Sequence, residues 1–211
     1  MNLKTAKPLA KMLLQTVQPY CTHAFIAGSI RREKAEVKDI ELVVVPRWEE
    51  DIDPTDLFAE RVVPVNRLYQ AVAGGIALSE VCPAVQWIKP STSVIQPWPL
   101  QPEGKYWRGY LPEQQVKLDV FLATSKNVGA IFLIRTGSME FGRAVMTHAQ
   151  TVGYRFIDGS LQYQNANSYT PVVTPDEETV FRLLRLRFVE PQQRTGPEAV
   201  KELPRYARPN K

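Results

Sequence analysis

Apolar residues recur at Leu9, Met12, Leu13 and Val17, a stripe at helical spacing that predicts a helix from Thr5 to Gln18, stopped by Pro19. The pattern then changes period. His23 to Ala27 reads as a strand, a Gly28-Ser29 turn follows, and after a basic segment a second strand opens at Asp39 and runs to Pro46. Side chains along a strand alternate faces, so Asp39, Glu41, Val43 and Val45 share one face, and Ile40, Leu42 and Val44 share the other. The same alternation recurs from Val116 to Thr124, with Lys117, Asp119 and Phe121 on one face and Val116, Leu118, Val120 and Leu122 on the other.

The acidic stretch from Arg47 to Glu60, broken by Pro54, reads as a solvated loop running into a helix. Val65 to Ala73 has helical spacing and ends at Gly74-Gly75. From Cys82 to Leu111 short apolar runs alternate with proline and glycine, which predicts a meander of strands whose tryptophans, Trp87, Trp98 and Trp107, pack rather than bind. Asn127 to Ile134 predicts a short helix, Thr136-Gly137-Ser138 opens another that reaches Gln150, and Asp158-Gly159 centres a hairpin between Tyr154 and Tyr169. The last helix is expected to start at Thr174 as N-cap, with Pro175 at its first position and Glu177 closing a capping box, and to run through Phe188 until Pro191. From Gln192 the chain is polar, proline-bearing and basic, through Arg194, Lys201, Arg205, Arg208 and Lys211. It reads as a tail without order of its own that is able to lie along a phosphate backbone.

Composition narrows the class. The 211 residues are 44% hydrophobic, enough for a core, and the net charge of +4 permits a polyanionic partner. Two cysteines, Cys21 and Cys82, suit a reducing compartment. No apolar run approaches the roughly 18 residues of a membrane span, and the N-terminus lacks a signal-peptide core. A soluble intracellular protein is expected, cytoplasmic, nuclear or virus-encoded, with no membrane association and a monomeric state.

The candidate chemistry lies in Ala24 to Pro46. Two carboxylates on one strand face repel each other, so each has its pKa raised or takes a cation, and a divalent metal held by hard oxygen ligands is the common answer. The turn at Gly28 and Ser29, with Arg31 and Arg32 behind it, supplies N–H groups, a hydroxyl and guanidinium forks of the kind that hold phosphate. A lone Asp119 within an apolar strand is costly unless bound. If its strand pairs beside that of Asp39 and Glu41, three carboxylates form a two-cation site for phosphoryl chemistry. Lys117 reads either as their ion-pair partner or as a contact to a phosphate. His23 and His148 read as ordinary packing or surface residues, and Arg31 as solvent-facing.

The ordered set Gly-Ser, Arg-Arg, Asp-x-Glu, a later strand Asp and a Thr-Gly-Ser helix start resembles the DNA polymerase beta superfamily of nucleotidyltransferases. IRTGSMEFGRAVMTHAQTVGYRF and VTPDEETVFRLLRLRFVEPQQR look like the C-terminal part of family X DNA polymerases, and KYWRGYL is similar to the segment before the third carboxylate strand. The resemblance covers residues 20 to 195. It implies an α+β fold: a nucleotidyltransferase palm (residues 1–125) with a mixed sheet flanked by helices, a small C-terminal α/β subdomain (126–195) and a basic tail (196–211). By the same resemblance Asp39, Glu41 and Asp119 are catalytic and bind two Mg2+ ions, with Mn2+ as the alternative metal. Gly28, Ser29, Arg32, Gly137 and Ser138 would bind the nucleoside triphosphate, and Lys117 and Arg143 the DNA primer-template. The implied activity is DNA-directed DNA polymerisation with pyrophosphate release, in DNA repair.

Three departures stand out. Glu41 replaces the family's usual second aspartate, Ile134-Arg135 stands where a Tyr-Phe pair is common, and Met139, Gly142 and Met146 replace polar positions. The chain also starts near the palm, so no lyase activity is expected. Two alternative functions follow: a template-independent nucleotidyltransferase, or one using RNA or another acceptor, and a catalytically silent nucleic-acid-binding homologue.

Overall fold

Helix α1 (Leu3–Val17) is capped by Asn2, whose Oδ1 accepts the Thr5 N–H at 3.0 Å, and it buries Ala6, Leu9, Ala10, Leu13 and Val17. That stripe packs on one face of a five-stranded sheet in a computed structural model that describes residues 1–53, 55, 56, 58, 60–73, 85–90, 95–166 and 168–204. Pro54, the Gly74-Gly75 stop, Cys82 and tail residues Arg205, Arg208 and Lys211 lie outside the described residues. The sheet runs β1 (Cys21–Ile26), β2 (Asp39–Pro46), β7 (Val116–Leu122), β6 (Tyr106–Leu111), β5 (Gln86–Ile88). Among the described residues only the β2–β7 pairing of this sheet is parallel. This is a mixed α+β fold.

The two faces of the sheet differ as the alternation requires. Ile40, Leu42, Val44, Leu118, Val120 and Leu122 join α1 in the first apolar cluster. On the opposite face Val43, Val45, Phe121 and Ala123 meet Val128, Ile131 and Phe132 of α4 (Val128–Thr136). A further cluster gathers Leu133 of α4, Phe141, Val145 and Ala149 of α5 (Met139–Thr151), and Val180 and Phe181 of α6 (Glu177–Leu183). A hairpin of β8 (Tyr154–Ile157) and β9 (Ser160–Gln164) turns at Asp158-Gly159, both at positive φ, and β10 (Tyr169–Pro171) completes its sheet.

Several sequence expectations are corrected. The acidic stretch expected to be a loop contains strand β3 (Trp48–Ile52), paired with β4 (Val62–Asn66) ahead of α3 (Arg67–Ala73). Arg67 offsets its charge by bonding Glu49 and Asp51, each at 2.7 Å. The last helix starts at Glu177 with Asp176 as its cap, because the Thr174 hydroxyl is spent on the Lys126 carbonyl. It also ends at Leu183, well before Phe188. The chain after Gln192 is no free tail in its described part. Arg194 is fully buried, Ala199 and Val200 pack on the C-terminal cluster, and Leu186 bridges Glu202. The tryptophan reading fits Trp107, which is buried edge-on to Trp87, whereas Trp98 is exposed.

Candidate active site

Parallel pairing of β2 with β7 places Glu41 directly opposite Asp119, and antiparallel pairing of β7 with β6 places Arg108 opposite Asp119 in turn. One row across three strands therefore reads Glu41, Asp119, Arg108, with Asp39 two residues back along β2 opposite Lys117. The Gly28-Ser29 turn forms a single helical turn, α2 (Gly28–Arg31), packed against β2. Gly28 sits at φ +64, and a Cβ there would collide with Glu41 Oε2, so only glycine lets the carboxylate lie against the turn. Ser29, Arg32, Lys34, Lys38, Asp39 and Glu41 line a cleft of about 530 Å³.

Burial raises the Asp39 carboxyl above its ordinary value, and Asp119 pushes it further. Glu41 is pushed up to about 7, first by burial and then by Asp39 and Asp119. Among the described residues neither side chain receives a hydrogen bond or an ion pair. Asp119 is different. Arg108 Nε donates to its Oδ1 at 2.7 Å and Arg108 Nη2 to its Oδ2 at 3.0 Å, while the Tyr106 hydroxyl donates to Oδ1 at 2.6 Å. The three carboxylates share one sheet face as expected from strand pairing, with Asp119 held by Arg108 and Tyr106. No group of three or more His, Cys, Asp or Glu among the described residues is disposed to hold a metal ion in this arrangement, in which Asp119 accepts from Arg108 and Tyr106. The donor chemistry of Asp39 and Glu41, hard carboxylate oxygens with no hydrogen bond or ion pair among the described residues, suits a hard cation.

On the phosphate side, Ser29 Oγ and Arg32 Nε are buried without a hydrogen-bond partner among the described residues. Such atoms cost free energy unless a ligand meets them. Arg32 is partly committed elsewhere, since its Nη1 donates to the Thr136 carbonyl and, at 3.1 Å, to the Gly137 carbonyl. Gly137 and Ser138 are likewise occupied. The Gly137 N–H bonds Leu133 O, the Ser138 N–H bonds Arg194 O, and the Ser138 hydroxyl caps α5 at Phe141 N while donating to Thr195 O. Arg143 is exposed on α5, as is Met139, and Gly142 is buried.

Arg31 does not face solvent. Its guanidinium forks onto Glu177 at 2.8 and 2.7 Å, donates to the Thr136 hydroxyl at 2.7 Å and lies 3.7 Å over the Phe132 ring. Arg194 approaches the same carboxylate from the other side, with Nη2 at 3.3 Å from Oε2. Burial pushes the Glu177 carboxyl up, yet the two guanidiniums outweigh it and hold the group below its ordinary value. Sequence reasoning missed Glu177, Arg194, Arg108 and Tyr106. Only for Arg108 was a signal at hand: KYWRGYL facing VKLDVFL in an antiparallel pair brings an arginine beside the buried aspartate.

Among the described residues no helix is long and apolar enough to cross a membrane. A comparison with curated proteins finds no significant match. Residues 131–195 match the family model described as the DNA polymerase beta thumb. That segment runs from within α4 to Thr195, just past the buried Arg194, and supports a relationship to DNA polymerase beta-like, family X proteins.

Proposed function

We propose that the chain is a nucleotidyltransferase of the family X DNA polymerase type, extending a nucleic-acid 3′-hydroxyl with a nucleoside triphosphate and releasing pyrophosphate. One observation carries this reading. Asp39, Glu41 and Asp119 share the sheet face on which the segment matching the polymerase thumb is docked, beside a turn with unpartnered phosphate-type donors.

In this reading Asp39 and Glu41, joined by Asp119, would hold two Mg2+ or Mn2+ ions. When bound, such ions acidify the attacking hydroxyl and neutralise the leaving pyrophosphate. The chain's own groups do the positioning. Ser29 Oγ and Arg32 Nε would donate to triphosphate oxygens, with Lys34 and Lys38 adding cations to a lining that also carries Glu36, Asp39 and Glu41. Lys117, opposite Asp39, would orient a primer phosphate, and Arg143 would contact the duplex. Gly137 and Ser138 act through the fold, by giving carbonyl oxygen and backbone N–H groups to Arg32 and Arg194, so their proposed share in nucleotide binding is the shape of this turn.

Primer extension on gapped and open templates, with each deoxy- and ribonucleotide in Mg2+ and in Mn2+, tests the proposal. Template-directed incorporation is expected. Ile134-Arg135 and the exposed Met139 favour a second reading, template-independent transfer or transfer to RNA or another acceptor, which extension indifferent to template sequence would establish instead.

A further inference from the structure

Asp119 is a buried carboxylate, 4% exposed, so it needs a cation wherever the protein is found folded. The cation present is Arg108, held by the two-point fork and assisted by the Tyr106 hydroxyl. We propose that Arg108 is an internal counter-ion that occupies Asp119 in the ligand-free protein and yields it when a divalent cation and a polyanion arrive together. The inference rests on the metal-site reading of Asp39, Glu41 and Asp119.

The exchange follows from geometry. A divalent ion reaching Asp119 alone would leave two cations on one carboxylate, and Arg108 would need another acceptor. Among the described residues its hydrogen bond outside Asp119 is a weak one, to the Pro90 carbonyl at 3.3 Å from Nη1, and the Asp39 carboxylate is near enough to feel its charge without bonding it. The Arg108 side chain is 22% exposed, at the rim of the sheet face, so a phosphate oxygen entering from solvent can accept its fork. A released Arg108 thus binds a nucleic-acid phosphate while the metal takes Asp119. Each ligand then favours the arrangement that binds the other, and linkage makes the effect reciprocal. Arg108 is a positioning residue in this scheme, acting on the metal through Asp119.

The test is Mn2+ binding to the full chain by electron paramagnetic resonance of the free ion, with and without a short oligodeoxythymidylate. For the wild type, the oligonucleotide is expected to tighten Mn2+ binding by about tenfold, within the usual range of coupling between sites. Arg108→Gln is expected to bind Mn2+ about tenfold more tightly without oligonucleotide and to gain little from it. Arg108→Lys keeps the charge but not the fork and should fall between. Tyr106→Phe, which removes one hydrogen bond and leaves the ion pair, supplies a milder variant should Arg108→Gln not fold, and is also expected to tighten Mn2+ binding. Mn2+ affinity unchanged or weakened in these variants, with wild-type binding intact, overturns the role of Arg108 alone. Absence of Mn2+ binding in wild type and variants, with or without oligonucleotide, overturns the metal-site reading as well.

Discussion

Arg31 and Glu177, 146 residues apart, form a two-point ion pair that ties the turn after β1 to the first residue of α6. Arg194, fully buried, shares the same carboxylate. Removing the acceptor strands two guanidiniums, one of them without access to water. Glu177→Ala is expected to destabilise the protein by about 3–5 kcal/mol, and Glu177→Gln by less, as read from urea unfolding midpoints. A loss within about 0.5 kcal/mol would mean that the pair carries no structural weight.

Gly28→Ala combines a left-handed backbone with a collision against Glu41. A loss of about 1–2 kcal/mol is expected from the backbone alone, with more from the collision. The two parts separate in a double-mutant cycle, because Glu41→Ala removes the colliding group. Gly28→Ala should therefore cost less in the Glu41→Ala background than in the wild type.

The pH dependence of the metal-free protein carries the signature of Glu41. Its folded carboxyl is raised to about 7 from 4.5, so between those values the folded state binds the proton that the unfolded state has lost. Stability from this group is present below the unfolded value and is lost as pH rises toward 7. Thermal melts of metal-free wild type are expected to drop relative to Glu41→Gln between about pH 4.5 and 7. Parallel curves across that window would contradict the burial and repulsion inferred for the site.

Glu41→Asp shortens the proposed metal ligand that departs from the pattern of the family the chain resembles. If the longer side chain sets the metal geometry, the ratio of Mg2+- to Mn2+-supported transfer should change by about tenfold or more. An unchanged ratio removes Glu41 as the residue that tunes metal choice.

The sheet face was legible in the sequence because strand alternation is local: it placed Asp39 and Glu41 together, and Asp119 with Phe121, from the residues alone. What was not legible depends on pairing across long distances. Thr174 to Glu177 spells a capping box, yet Glu177 is claimed by Arg31 and Arg194, and Asp176 takes over the cap. Arg194 reads as tail until the fold closes over it, and the acid-rich β3 reads as loop until Arg67 offsets its carboxylates. The commitment of Asp119 to Arg108 likewise depends on which strand lies next to β7, a fact of topology rather than of local pattern.

The central claim is that the carboxylates of β2 and β7 drive nucleotidyl transfer. Extension of an end-labelled primer by wild type and by Asp39→Asn, under identical metal and nucleotide, tests it most directly. The account predicts extension by wild type and a loss of at least about a thousandfold in the variant, on the scale of several kcal/mol of metal-assisted stabilisation. Extension by Asp39→Asn at the wild-type rate, with the variant folded, would contradict it.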